Sequence, residues 1–175
     1  MQKFNLIGAA SCAVLLAGCF GGLGMSSADR AEAVLAPTAG SQANGKVTFA
    51  RSGNKVMVTA EVSGLAPGAH GFHIHEKGDC SAPDATSAGG HFNPGGKQHG
   101  NPEHAEHHVG DMPQLIADAR GVAKLTAYLD TVQMGEGAAD IIGRGVIVHA
   151  APDDFKTQPT GNSGARVACG VIVRK

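Results

Sequence analysis

Apolar and polar residues alternate in short runs along most of the chain. Lys55 to Ser63 is the clearest case: Val56, Val58, Ala60 and Val62 interleave with Lys55, Met57, Thr59 and Glu61. Successive strand side chains point to opposite faces, so this run predicts a strand with one buried and one wet face. Val122 to Leu129 repeats the pattern, with Ala123, Leu125, Ala127 and Leu129 on one side. Shorter strands are predicted at 45–50, 114–117, 143–149 and 167–173. Turns rich in Gly, Asn, Asp and Pro separate them at 51–54, 64–68 and 118–121. In Phe72-His73-Ile74-His75 the alternating partners are histidines. Phe72 and Ile74 can face a core while His73 and His75 project together from the other side. Long loops are expected at 134–140 and 150–165. No helix of length and no repeat emerges, so the rhythm fits an all-β sandwich or barrel.

Composition narrows this picture. The chain has 175 residues, the size of one domain, with 26 glycines and few aromatics. A formal net charge of −1 gives no support for a nucleic-acid partner. Residues 1–18 read as a signal peptide, with Lys3 as its basic start and an apolar run from Phe4 to Ala17 too short to span a bilayer. That run ends Leu16-Ala17-Gly18-Cys19, which resembles a bacterial lipobox and makes Cys19 the expected lipidated residue. Residues 19–42 lack periodicity and read as a flexible tether, so the folded domain is expected at 43–175. Cys12 leaves with the signal, and Cys80 and Cys169 remain in an exported, oxidising compartment, the number one disulfide needs.

The candidate chemistry lies between His70 and Asp111, which contains all but one of the nine histidines. His73 and His75 are close enough on one strand face to grip an ion, and imidazole suits zinc, copper, nickel and iron. The glycine-rich stretch that follows carries His91, His99, His108 and Asp111. It is too irregular for a helix or long strand and reads as a loop folded over a metal.

Taken together, GFHIHEKGDC, GGHFNP, HHVGD, IIGRGVIVHAAPDD and GNSGARVACGVI resemble the successive signatures of copper,zinc superoxide dismutase. The resemblance implies a Greek-key antiparallel β-sandwich, a flattened eight-stranded barrel with long metal-binding and active-site loops. It implies copper on His73, His75, His91 and His149, and zinc on His91, His99, His108 and Asp111, with His91 shared. Asp153 would link a copper-bound to a zinc-bound histidine. Arg166 would guide superoxide to the copper. His91 and Arg166 are the expected catalytic residues, and Cys80–Cys169 the expected disulfide. Closing so long a loop is worth about 4–5 kcal/mol in the chain-entropy model. His70 would be a hydrogen-bonded support, and His104 and His107 solvated loop residues or a weak metal-collecting patch. The loop from Asp153 to Arg166 is shorter than in the eukaryotic enzymes, leaving Lys97 and Lys156 as candidate steering residues.

The implied function is dismutation of superoxide to oxygen and hydrogen peroxide by a periplasm-facing, lipid-anchored enzyme. The resemblance leaves homodimer formation open. The competing reading is a non-catalytic copper or zinc buffer on the same scaffold, which needs the ligands but not Arg166. A copper-only enzyme is disfavoured because His99, His108 and Asp111 are all present.

Overall fold

The computed structural model describes Met1 and residues 30–175. The expected signal segment, Cys12 and the lipobox cysteine Cys19 lie outside the described residues. The described chain forms ten strands: β1 (Arg30–Pro37), β2 (Asn44–Ser52), β3 (Lys55–Ser63), β4 (Gly68–His70), β5 (Phe72–His75), β6 (Leu115–Ala117), β7 (Ala123–Leu129), β8 (Gly145–His149), β9 (Arg166–Val171) and β10 (Val173–Arg174). A short 3-10 turn at Thr86–Ala88 is their only helical element among the described residues.

All pairings between these strands are antiparallel. The order is β4-β6-β7-β3-β2-β1-β9-β8-β5, with β10 beside β1. Only Gly71 separates β4 from β5, and only Ile172 separates β9 from β10. Counted through these breaks, the ten elements are the eight strands expected. The first and last members of the order are then two halves of one strand, so the sheet is a nearly closed barrel. β8 returns beside β5 after the β4–β6–β7 succession, which is the Greek-key arrangement.

The alternation expected for Lys55–Ser63 is observed. Val56, Val58, Ala60 and Val62 are buried in the main core with Phe49, Val47, Phe72, Ile74, Val146 and Val148. Ile147, on the other face of β8, joins a small second cluster with Ala85, Ala88 and Cys169.

One expectation needs correction. The tether placed at 19–42 is folded from Arg30 onward. β1 pairs with β2 over Arg30–Leu35 and with β9 at Ala36 and Pro37. Its inward residues are Ala31, Ala33 and Leu35, while Val34 faces out. Two methyl groups and one leucine give a weak hydrophobic signal, and pairing with formed neighbours decides the segment. The histidine face of β5 is covered: all four residues of β5 are buried. The loop that follows covers it.

Candidate metal centre

The covering loop is clipped to the free edge of β5 by its two arms. Phe92 N–H donates to the Ile74 carbonyl at 2.8 Å, and Ile74 N–H donates to the Gly110 carbonyl at 2.8 Å. Isolated bridges set His91 opposite His75 and Asp111 opposite His73. β8 pairs with the other edge of β5 and delivers His149. Rigid strands therefore supply three histidines, and the loop supplies the rest.

These side chains gather into two groups that share one member. His73, His75, His91 and His149 form the first, and His91, His99, His108 and Asp111 the second. In each, one candidate ligand atom per residue lies within 4.8 Å of the others, and all seven residues are buried. His91 Nδ1 is 2.9 Å from Asp111 Oδ1 and 3.4 Å from His108 Nδ1, inside the second group. Its Nε2 therefore faces the first.

The donor atoms fit metal ions. Nδ1 of His73 and Nε2 of His75, His91 and His149 are buried without a hydrogen-bond partner, as is Nδ1 of His99. Orphaned buried polar atoms are costly, and five at one place call for a ligand. In the second group Asp111 Oδ1 lies 2.9, 3.1 and 3.3 Å from Nδ1 of His91, His99 and His108. A tetrahedral ion holding its donors at ~2.0–2.1 Å sets them about 3.3 Å apart. A His₃Asp set suits zinc, and an all-imidazole set suits a metal that cycles between two copper oxidation states.

The nitrogens that point away from the ions are held in place. His75 Nδ1–H donates to the Gly89 carbonyl at 2.9 Å, and His149 Nδ1–H to the Gly164 carbonyl at 3.1 Å. Asp153 accepts from His73 Nε2 at 2.7 Å and from His99 Nε2 at 2.9 Å, and so ties the two groups together behind the ligands. Asp111 Oδ2 accepts the backbone N–H groups of His108 and Gly100. Gly161 allows the Asp153–His99 contact. Its φ is +65°, and a Cβ there would fall 1.8 Å from Asp153 Oδ1 and 2.5 Å from His99 Nε2.

Charge states follow from this packing. Burial pushes the His91 imidazole down to about 4, against the pull of Asp111. Burial, with His73 close by, takes His149 to about 3, and His75 is also driven well below the usual range by burial first. The rings facing the first group are therefore neutral at pH 7, the form in which imidazole binds a metal. His99 goes the other way: burial is outweighed by the adjacent Asp111 and Asp153 carboxylates, raising it to about 9 without a metal. Hydrogen bonds from the surrounding histidines likewise overcome burial to hold Asp111 and Asp153 far below the usual carboxylate range.

Arg166 lies opposite His149 in the β8–β9 register, at a bulge. Its guanidinium donates to the Ala85 and Gly89 carbonyls, both at 2.6 Å, and its own carbonyl accepts from Thr38 Oγ1. Cys80 and Cys169 are joined by a disulfide with Cα atoms 5.8 Å apart. The bond staples the segment carrying Ala85 and Gly89 to the strand carrying Arg166.

His70 is buried, with its ring nitrogens 2.7 and 2.8 Å from the His149 and Ala66 carbonyls, in keeping with a supporting role. His104 is exposed, as expected. His107 is not: it is buried, because its Nδ1–H donates to the His104 carbonyl and folds the ring inward. Lys97 Nζ donates to the Ala105 carbonyl, and Lys156 is exposed. Two glutamines went unnoticed in the sequence. Gln158 clamps the backbone N–H and carbonyl of His99, and Gln114 accepts the Asp153 N–H. Neither lies in a histidine motif, so no signal marked them.

The copper/zinc superoxide dismutase family model matches residues 43–172. The chain is 45% identical over 139 residues to the extracellular Cu-Zn superoxide dismutase of Drosophila melanogaster, covering 75% of this chain and 76% of that protein. It is 40% identical over 135 residues to Cu-Zn superoxide dismutase 2 of Aquifex aeolicus (strain VF5), covering 73% and 78%. The crystal structure of the clock protein EA4 superposes with a TM-score of 0.77 at 39% identity, covering 87% of this chain and 98% of that one. The chain therefore belongs to the copper/zinc superoxide dismutase family. It is an oxidoreductase that dismutes superoxide, with copper and zinc as its cofactors. The disulfide fits export to an oxidising compartment.

Proposed function

We propose that His73, His75, His91 and His149 hold the copper and that His91, His99, His108 and Asp111 hold the zinc. The observation that carries this is the set of five buried ring nitrogens without hydrogen-bond partners, divided between two groups that meet at His91. Copper held by the first group would supply the one-electron redox chemistry that dismutation needs.

The residues of the chain do the rest. Arg166 is the fixed cation beside the first group. Its guanidinium is pinned by two carbonyls, so it meets a small anion without reorganising. His91 Nε2 is the atom suited to hand a proton to reduced substrate, while its Nδ1 stays in the second group. Asp153 holds His73 and His99 in one orientation, so the two groups keep their spacing. All six ligand histidines are buried, which limits water around their rings.

Residues 1–18 act as a signal peptide, and the folded domain is held to the cell envelope, facing the periplasm, through lipid on Cys19. What supports this is the apolar run ending in Leu-Ala-Gly-Cys, together with the disulfide. The exposed Tyr128, Ile116, Val34 and Val173 leave a homodimer open.

The test is the copper EPR spectrum of metal-loaded protein before and after zinc removal, alongside its dismutase rate. A spectrum that changes when zinc leaves, with a rate above that of free copper, is the expected result. A spectrum indifferent to zinc would refute the shared His91.

A further inference from the structure

Beside the second group lies a cavity of about 260 Å³ whose lining includes Glu103, His107, Asp130 and Asp111. The mechanism uses only the last of these. His107 is 6% exposed. Its Nδ1–H donates to the His104 carbonyl at 2.7 Å. A neutral imidazole carries one N–H, so Nε2 bears a lone pair. No described residue hydrogen-bonds to that atom, and the ring lines the cavity. A buried residue in a cavity wall, with its tautomer fixed and its second ring nitrogen free of hydrogen bonds, is a prepared metal ligand.

Besides Asp111, two carboxylates, Glu103 and Asp130, share the cavity wall with it. The nearby counter-charge is Lys55, 3.6 Å from Asp130, and both members of that pair are well exposed. Among the described residues, only the two groups already described bring three or more ligand atoms within 4.8 Å. The cavity's donors are therefore more widely spread. Such spacing suits a hydrated cation held briefly, with water completing its shell, rather than a permanent ion. The cavity reaches Asp111, whose Oδ1 touches all three histidines of the second group.

We propose that this cavity is a waiting site for zinc, in which Glu103 and Asp130 draw the cation in and His107 Nε2 ligates it before it passes to Asp111. The proposal rests on reading His91, His99, His108 and Asp111 as the zinc site.

The experiment follows zinc uptake by the metal-free full chain, using a chromophoric zinc chelator as competitor in a stopped-flow instrument. The zinc bound at the end point is measured separately. Three proteins are compared with wild type: His107→Gln, the double variant Glu103→Gln/Asp130→Asn, and Asp111→Asn. The first two should take up zinc about tenfold more slowly at low salt yet reach the same final zinc content, since steering carboxylates act on the rate of association. Asp111→Asn should lower the final content instead. Wild-type uptake rates in both cavity variants would overturn the waiting site and leave the zinc site standing. No tight zinc in the wild type would overturn both readings. The double variant changes only exposed residues, so it remains informative if His107→Gln folds poorly.

Discussion

The hairpin half of the barrel and the site-bearing half follow different rules. In β2, β3 and β7 one face is buried and the other is wet, and outward Thr48, Thr59 and Thr126 stand directly opposite one another across the three strands. In β5 and β8 every residue is buried. The second face of β5 is covered by a loop that contributes metal ligands, and that of β8 by the segment around Ala85 and Ala88. The hairpin half is stabilised by apolar burial and cross-strand pairs. The site half buries imidazoles whose ring nitrogens lack hydrogen-bond partners, and ions must satisfy them. Packing satisfies the side chains of one half, while those of the other reach full stability only with their metals.

This contrast can be broken most severely at His91. Removing outer partners of metal ligands costs 10–100-fold in affinity, so His91→Ala, which removes a ligand from both groups, should weaken each metal by more than about 100-fold. Metal analysis after dialysis checks this, and the β-sheet circular dichroism of the hairpin half should persist. Next comes the staple. Cys80→Ser/Cys169→Ser should lower stability by about 4 kcal/mol, read as a drop in thermal midpoint, because a loop with a sequence separation of 89 is released. Gly161→Ala should cost about 1–3 kcal/mol through its positive φ and through displacement of Asp153 from His99. Zinc affinity should fall with it, while Gly53→Ala, a positive-φ turn in the hairpin half with open space around it, should leave metal binding intact.

Arg166→Ala should keep both metals and lose about tenfold in dismutase rate, with a weaker dependence on salt. A buffer protein would show no such loss, so this variant separates the two functional readings. The smallest effect is one of pH on the metal-free protein. His91 and His149 fall to about 4 and about 3 when folded, so the unfolded chain binds protons first as pH drops below about 6.5. Stability therefore falls as pH drops from about 6.5, through about 4 for His91 and about 3 for His149. His99, raised to about 9, has the opposite sign: its contribution is full below about 6.5 and is lost as pH rises through 9. Denaturant midpoints of the apo protein across that range should pass through a maximum, and zinc loading should flatten the curve.

What the sequence revealed divides along the same line. The hairpin strands were legible because Val56, Val58, Ala60 and Val62 alternate with polar residues over a full strand. The ligand histidines were legible because His73 and His75 alternate with core residues and the later ones stand in motifs. β1 was not, since Ala31 and Ala33 barely differ from a linker in hydropathy. Nor was the burial of His107, which depends on a contact with a backbone carbonyl. Gln158, Gln114 and Gly161 were silent for the same reason: each acts through one contact made in space by residues far apart in the chain.

The carbonyl of Gly89 accepts from both His75 Nδ1 and Arg166 Nη2. One peptide plane thus aims a metal-binding ring and the anion-attracting guanidinium at once. An insertion or deletion between residues 76 and 90 that tilted this plane by a few degrees would detune electron acceptance and substrate capture together. The length of that loop is accordingly constrained by the site, although none of its own side chains between 77 and 90 is counted among the ligands.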